Sequence, residues 1–416
     1  MTYEIVGLTE HTRGAFEDVD RIVWFDEPPA PDWPLSGGIE ADRAYAATPT
    51  GEPPFAGIYA HYALRLTLPA AEGLRQVDVP GLTWVGVHPD HRRRGVLSRM
   101  LEHHLHDLRE RGVALSALHA SETGIYGRFG YAVATLDARC ELGSGASIDA
   151  ETVDDGDIET STWPVQATPG MVERVLALHR RLAARTLGQV ELPEAQVRQM
   201  LHDHPMSLRG TEPYHVVIAQ RDGEDVGFAR FRRTQKWQHG SPDGTLDAGW
   251  LQAADPAAEL ALVRRLTGYD LVGSVELALP APDSPVPWWL GGPRPVRLTL
   301  KDALWLRLVD VPAALTMRGY AAPARLVLEV ADARCPWNAG RWELEAGSDG
   351  LARCAKSDRA ADLRLTATAL AAAYLGGRRV GELAAQGLVT ELTPGAVAAL
   401  HLAMQTSTAP ASTLQF

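Results

Sequence analysis

Three consecutive arginines, Arg92, Arg93 and Arg94, followed by Gly95, stand between the apolar run WVGV and a segment with leucines at 97, 101, 105 and 108. Leucines at i, i+4, i+8 and i+11 predict one apolar face of a helix that opens at the arginines. The first N–H groups of a helix lack partners in their own chain, and with the helix dipole they favour an anion. Gly95 permits close approach to the backbone, and guanidinium groups add charge-assisted hydrogen bonds. The stretch reads as a pyrophosphate cradle, with a solvated basic turn as the competing reading. It is not the GxxxxGK[ST] loop of nucleotide hydrolases, because no lysine followed by Ser or Thr completes it.

Other side chains invite chemistry. Tyr126, in SETGIYGRFGY, offers a phenol for proton transfer, or packs beside Phe129 and Tyr131. Asp26 and Glu27, between Trp24 and Trp33, suit a cationic substrate with aromatic walls, or form an exposed acidic loop. In HHLH, His103 and His106 meet at i, i+3, but no carboxylate completes a metal set, so no metal is expected. Cys140, Cys335 and Cys354 form no CxxC pair, which gives neither a disulfide framework nor a zinc ribbon. CPWN reads as a tight turn with a packed Trp337.

The elements around these residues are legible. In HYALRLTLP, Tyr62, Leu64, Leu66 and Leu68 alternate with His61, Ala63, Arg65 and Thr67, as in a half-buried strand. VDVPGLTWVGV reads as a bent or bulged strand that ends at Val87 before Pro89. Gly112 closes the helix after the arginines. VALSALHA is a buried strand, and SETGIYGRFGY leads to a strand AVATLDARCEL. This order is an α/β layout. A polar linker begins near residue 143. Beyond it, MVERVLALHRRLAART predicts a helix, and HVVIAQ and VGFARFRR a hairpin turning at Asp222-Gly223. LDAGWLQAADPAAELALVRRL repeats the strand-loop-helix rhythm of LTWVGVHPDHRRRGVLSRML, but Ala257, Ala258 and Glu259 replace the arginines and glycine. It reads as a degenerate repeat without the phosphate grip. From about residue 296, LVLEVADA, GRWELEAG and ADLRLTAT read as strands and ATALAAAYLGG as a helix.

Bulk properties narrow the partners. At 416 residues two or three domains are expected, and a net charge of −12 argues against a nucleic-acid partner. That charge favours cationic substrates. The N-terminus lacks a signal-peptide pattern and no long apolar run predicts a membrane span, so a cytoplasmic, reduced protein is expected.

VGVHPDHRRRGVLSRM resembles the acetyl-CoA motif of the GNAT N-acetyltransferases, [Q/R]-x-x-G-x-[G/A], through Arg92, Gly95 and Val85 to Val87. SETGIYGRFGYAVAT resembles the GNAT helix whose tyrosine faces the thioester sulfur, and the segment with CPWNAGRW, ADLRLTAT and YLGG looks like a sterol-carrier-protein-like domain. The tripartite order is similar to the Eis (enhanced intracellular survival) family, which also tolerates a leucine such as Leu97 in the cofactor loop. The resemblance implies mixed α/β sheets in a catalytic GNAT domain (residues 1–150), a degenerate GNAT-like domain (151–295) and a sterol-carrier-like domain (296–416). It implies an acetyl-CoA-dependent transferase acting on primary amines of aminoglycoside-like polyamines and lysine side chains, by direct transfer in a ternary complex, and a homohexamer. Val85, Gly86 and Val87 would meet the pantetheine arm; Arg92, Arg93, Arg94, Gly95, Val96, Leu97 and Ser98 the pyrophosphate; Ser121 and Glu122 the cofactor further along. Tyr126 would be the general acid, the α-carboxylate of Phe416 the general base, and Asp26 the amine-facing carboxylate. The alternative is a lipid or sterol carrier, or an acyl-CoA sensor, in which the GNAT parts are scaffolding.

Overall fold

Residues 3–24, 39–143, 145–150, 153–203, 208, 210–412 and 416 are described in the computed structural model of the chain. Strand β1 (Glu4–Gly7) is followed by helix α1 (Arg13–Trp24), which buries Phe16 and Val19. Strands β2 (Ala44–Thr48), β3 (Gly57–Pro69) and β4 (Leu74–Val87) pair antiparallel in succession. Helix α2 (Val96–Glu110) follows the arginines and buries Met100, Leu101, Leu105 and Leu108. Strand β5 (Leu115–His119), the short helix α3 (Thr123–Tyr126) and strand β6 (Ala132–Val133) complete the first stretch. The alternation expected in β3 exposes Ala63 and Arg65, yet His61 and Thr67 are buried too. The face assigned to solvent at His61 is covered by α2, whose His104 ring lies 5.8 Å from the His61 ring. Leu97, expected on the buried stripe of α2, is only partly buried.

The chain divides into two units, residues 1–134 with 304–406 and 416, and residues 135–303 with 407–415. AVATLDARCEL is therefore two strands. Its first part is β6, and its second, β7 (Leu136–Gly143), belongs to the other unit's sheet. That unit continues with β8 (Ile158–Pro164), α4 (Met171–Ala183), α5 (Glu194–Leu201), β9 (His215–Arg221) and β10 (Glu224–Thr234). Asp222 and Gly223, both at positive φ, turn the hairpin, as Asp-Gly favours. Strand β11 (Thr245–Ala253), helix α6 (Pro256–Thr267), β12 (Ser274–Ala278) and β13 (Arg297–Asp302) follow. The sheet order is β13-β7-β12-β11-β10-β9-β8.

The chain then returns to the first unit through β14 (Leu304–Leu308), which pairs antiparallel with both β5 and β6. The first sheet therefore runs β1-β2-β3-β4-β5-β14-β6. After α7 (Val311–Met317), strands β15 (Ala324–Ala331), β16 (Gly340–Ala346), β17 (Ala352–Lys356) and β18 (Leu363–Thr366) are followed by helices α8 (Ala367–Ala373) and α9 (Val380–Ala385), strand β19 (Val389–Glu391) and helix α10 (Ala396–Met404). Their sheet order is β17-β16-β15-β18-β19. No helix among the described residues is long and apolar enough to cross a membrane.

Candidate functional site

Strands β4 and β5 pair in parallel only at Gly81 with Ala117 and Leu82 with Leu118, while β4 continues to Val87. The β3–β4 register shifts between Ile58, opposite Gly86, and Ala60, opposite Thr83, so a bulge lies at Trp84 and Val85. Trp84 has a positive φ of 55°, and its ring packs on Phe16 of α1. A bulge re-aims a strand and ends its pairing. Here it leaves the far edge of β4 without ladder partners on the β5 side.

Beyond β4 the chain makes a short turn at Pro89–His91, and Arg93 and Gly95 adopt φ of 59° and 83°. Gly95 is the N-cap of α2, with no side-chain cap, and the first intrahelical bond there is Arg99 N–H to Gly95 O at 3.0 Å. The N–H groups of Val96, Leu97 and Ser98 are thus not used by the helix, an anion-binding arrangement. Among the described residues, Arg92, Arg93 and Arg94 make no side-chain hydrogen bond or ion pair.

A cavity of about 850 Å³ joins these features. It is lined by Val85, Gly86 and Val87 of β4, by Arg92, Arg93, Gly95, Val96, Leu97 and Ser98 of the loop and helix start, and by Ser121, Glu122 and Tyr126. Every residue expected around a cofactor lines it except Arg94, which is exposed. Trp24, at the end of α1, lines it as well, whereas Asp26, Glu27 and Trp33 lie outside the described residues. Val23, His91, Ile125 and Arg128 also line it and were missed by the sequence reading. Ile125 and Arg128 flank the tyrosine that was singled out, so their position in the motif was the available signal. An unpaired strand edge, free helix-start N–H groups, two guanidiniums unpartnered among the described residues and a cavity of about 850 Å³ that they share fit a pantetheine arm with a pyrophosphate.

Tyr126 ends α3 with 6% of its surface exposed and its ring edge-to-face with Tyr131, 6.2 Å between centroids. Burial, with the nearby Glu122 charge, pushes its phenol up to about 12. Beneath it, Tyr131 OH lies 2.8 Å from Ser116 Oγ, which lies 3.0 Å from His104 Nε2. His103 is engaged with Tyr59 OH at 2.7 Å, and His106 packs edge-on to Trp337. No group of three or more His, Cys, Asp or Glu among the described residues is placed to hold a metal.

Phe416 rests on the same sheet. Its ring meets His119 edge-to-face at 4.8 Å and Tyr62 at 6.5 Å. Gly81 makes room for it, since a Cβ there would come within 2.6 Å of the Phe416 ring. Leu118 and His119, successive on β5, point to opposite faces. Tyr126 shares a core cluster with Leu118, while Phe416 packs on His119, so the tyrosine and the chain end flank the split between β4 and β5. His119 was not anticipated; a histidine that ends a buried strand was its only mark in the sequence.

The second unit repeats this frame. Its register shifts between Arg230, opposite Trp250, and Arg232, opposite Asp247, the same bulge as in β4, and β11 pairs in parallel with β12 as far as Ala248. However, α6 is capped by its own Asp255, which accepts from Ala258 N–H at 2.9 Å and is held by Arg221. A carboxylate of the chain thus caps this helix start, which the first unit leaves without a side-chain cap.

Comparison with known proteins agrees with this duplication. An acetyltransferase (GNAT) domain family matches residues 4–134, a second acetyltransferase (GNAT) domain family matches residues 188–308, and a sterol carrier protein domain family matches residues 311–413. An uncharacterized N-acetyltransferase of Streptomyces coelicolor is 38% identical over 85% of this chain and 84% of its own length. N-acetyltransferase Eis of Mycobacterium tuberculosis is 32% identical over 79% of this chain and 78% of its own. The crystal structure of Eis1 from Mycobacterium abscessus superposes over the full length of both chains with a TM-score of 0.83 at 29% identity.

Proposed function

Because the chain belongs to the Eis family of GNAT N-acetyltransferases, we propose that it moves an acetyl group from acetyl-CoA directly to a primary amine of a cationic polyamine, with aminoglycosides and lysine side chains as acceptor classes. The observation that carries the reading is the single cavity with Arg92, Arg93 and the α2 start among its walls together with Tyr126. When bound, acetyl-CoA supplies an acyl group activated as a thioester. Val85 to Val87 offer strand-edge groups to the pantetheine arm, and backbone N–H groups there are suited to a carbonyl oxygen that gains negative charge. Arg92, Arg93 and the N–H groups of Val96 to Ser98 hold the pyrophosphate.

Two proton transfers remain. The acceptor amine must lose a proton as it attacks, and the departing thiolate must gain one. Burial raises the Tyr126 phenol, which favours its protonated form, and it is the donor. The Phe416 carboxylate, on the other side of the split, is the acceptor. The net acidity of the chain draws cations towards it. The family resemblance supports a homohexamer, and free Cys140, Cys335 and Cys354 are in keeping with a cytoplasmic setting.

The test is thiol release from acetyl-CoA with kanamycin or neomycin as acceptor. Amine-dependent release is expected. Tight acetyl-CoA binding with no release for any polyamine would overturn the reading.

A further inference from the structure

Nothing in the catalytic stretch by itself fixes the turn that follows Tyr126. The chain passes from α3 through Gly127–Phe129 to Gly130, closed by Gly130 N–H to Gly127 O at 3.0 Å and Tyr131 N–H to Tyr126 O at 3.3 Å. Those bonds are internal to the turn. Besides its apolar packing against Leu118 and the α2 residues Met100 and Leu101, the turn takes polar support from residues more than 170 positions later in the chain.

The first is Arg307 on β14, whose side chain is fully buried. Its Nη2 donates to both oxygens of Asp332, at 2.8 and 2.6 Å. Among the described residues its Nε and Nη1 have no hydrogen-bond partner, and they face Gly130. A Cβ on Gly130 would stand 2.5 Å from Nη1, and the φ of 87° there also requires glycine. The second support is Arg334. Its guanidinium lies 5.0 Å over the Phe129 ring, its Nε donates to Arg128 O at 3.4 Å, and its Nη1 pairs with Glu102 of α2 at 2.9 Å. Asp332 ties the two together, because it also accepts from the N–H groups of Arg334 and Cys335, at 3.2 and 3.0 Å, and from Asn338 Nδ2 at 3.0 Å.

We infer that Arg307, Asp332 and Arg334 form a clamp that positions Tyr126, so that residues far along the chain, themselves outside the cavity lining, set the geometry of the acid. A buried ion pair contributes little net stability beside an apolar pair of the same volume. Its directional bonds do hold the Gly130 end of the turn from one side, as Arg334 holds Phe129 and Arg128 from another. Arg128 lines the cavity with Tyr126, so both cavity residues hang on one turn. The inference rests on the reading of Tyr126 as general acid.

The experiment compares Arg334→Ala, and the paired Arg307→Met with Asp332→Leu, each with Tyr126 intact and in a Tyr126→Phe background. Arg334 is partly exposed, so its variant leaves the core whole, and melting curves establish the fold of both. With Tyr126 present, each clamp variant is expected to lose on the order of tenfold in kcat with the KM for acetyl-CoA within about twofold, because misplacement of a reacting group acts on the chemical step. In the Tyr126→Phe background the same variants should cost nothing further, which a general loosening of structure would not produce. An unchanged kcat in folded Arg334→Ala, or losses that multiply with Tyr126→Phe, overturns the clamp. A Tyr126→Phe protein at full rate removes the acid assignment itself, a separate outcome.

Discussion

Tyr126 keeps its proton because it sits among Leu118, Phe129 and Tyr131, where a phenolate would lose its hydration. Tyr126→Phe preserves that packing and deletes only the donor. Turnover should fall roughly 10²-fold with acetyl-CoA affinity nearly intact, as stopped-time thiol assays and cofactor titration would show. Unchanged turnover would remove Tyr126 from the mechanism. Phe416 makes the complementary case at the other side of the β4–β5 split. Its ring fits over Gly81 and against His119, which anchors the residue whose carboxylate is the proposed base. Residues appended after Phe416 turn that carboxylate into an amide and should reduce activity by at least about tenfold in a protein that still melts normally. A full rate in the extended chain would show that another group takes the amine proton. Tyr126 was visible in its motif, whereas the seat of Phe416 was not. No local pattern says that the end of a chain returns to a strand hundreds of residues earlier.

At the level of elements, one bulged strand followed by a helix is used twice with opposite results. In the first copy Gly95, at φ 83°, opens α2 without a side-chain cap; in the second, Asp255 closes α6 on itself. A β-branched residue at Gly95 is strained at that φ by about 1–3 kcal/mol. Gly95→Val should therefore raise the KM for acetyl-CoA about tenfold or more while kcat at saturation changes little; an unchanged KM would mean that the helix start does not hold the cofactor. The second copy carries a different consequence. Glu259 on α6 is buried, accepts from Ser284 Oγ at 2.5 Å, and is raised to about 7, first by burial and then by Asp283, with Ser284 opposing. Unfolded, it titrates near 4.5. Between those values the folded state binds more protons, so stability is lost as pH rises from about 4.5 to 7, on the order of 3 kcal/mol in all. Glu259→Gln, which keeps an acceptor for Ser284, should raise the melting temperature at pH 8 and not at pH 4. An equal effect at both pH values would show that charge is not the cause.

For the whole molecule, buried histidines lowered by burial are expected to weaken the fold towards acid pH. His61, lowered to about 4 chiefly by burial, with Arg111 and Arg43 adding to it and Asp107 and Asp42 opposing, is charged in the unfolded chain below about 6.5. The unfolded state then binds more protons, so stability should fall as pH drops from about 6.5 towards 4, by on the order of 3 kcal/mol for this residue. His61→Phe, similar in shape to the ring it replaces, should flatten that part of the curve in thermal melts; an unaltered acid limb would assign it elsewhere. His61 also marks where local pattern misleads. Alternation placed it towards solvent, but α2 covers that face, and burial by a distant element leaves no trace in a strand's own period.

Much of the frame followed from the sequence by itself. The strand ending at Val87, the helix after the arginines, the Asp222-Gly223 hairpin and the repeated strand and helix of the second copy all rest on short-range rules of periodicity, capping and turn chemistry. Those rules act over a few residues, and they reached most of the cavity wall, from Val85 to Ser98 with Ser121 and Glu122. Only the tertiary structure decided which distant segments complete the site. It sent β14 between β5 and β6, cut AVATLDARCEL between two sheets, brought His119 against Phe416, and set Arg307 under Gly130. Strand order and long-range burial minimise exposed apolar surface and unpaired edges over the entire chain, and no single window of sequence carries that balance.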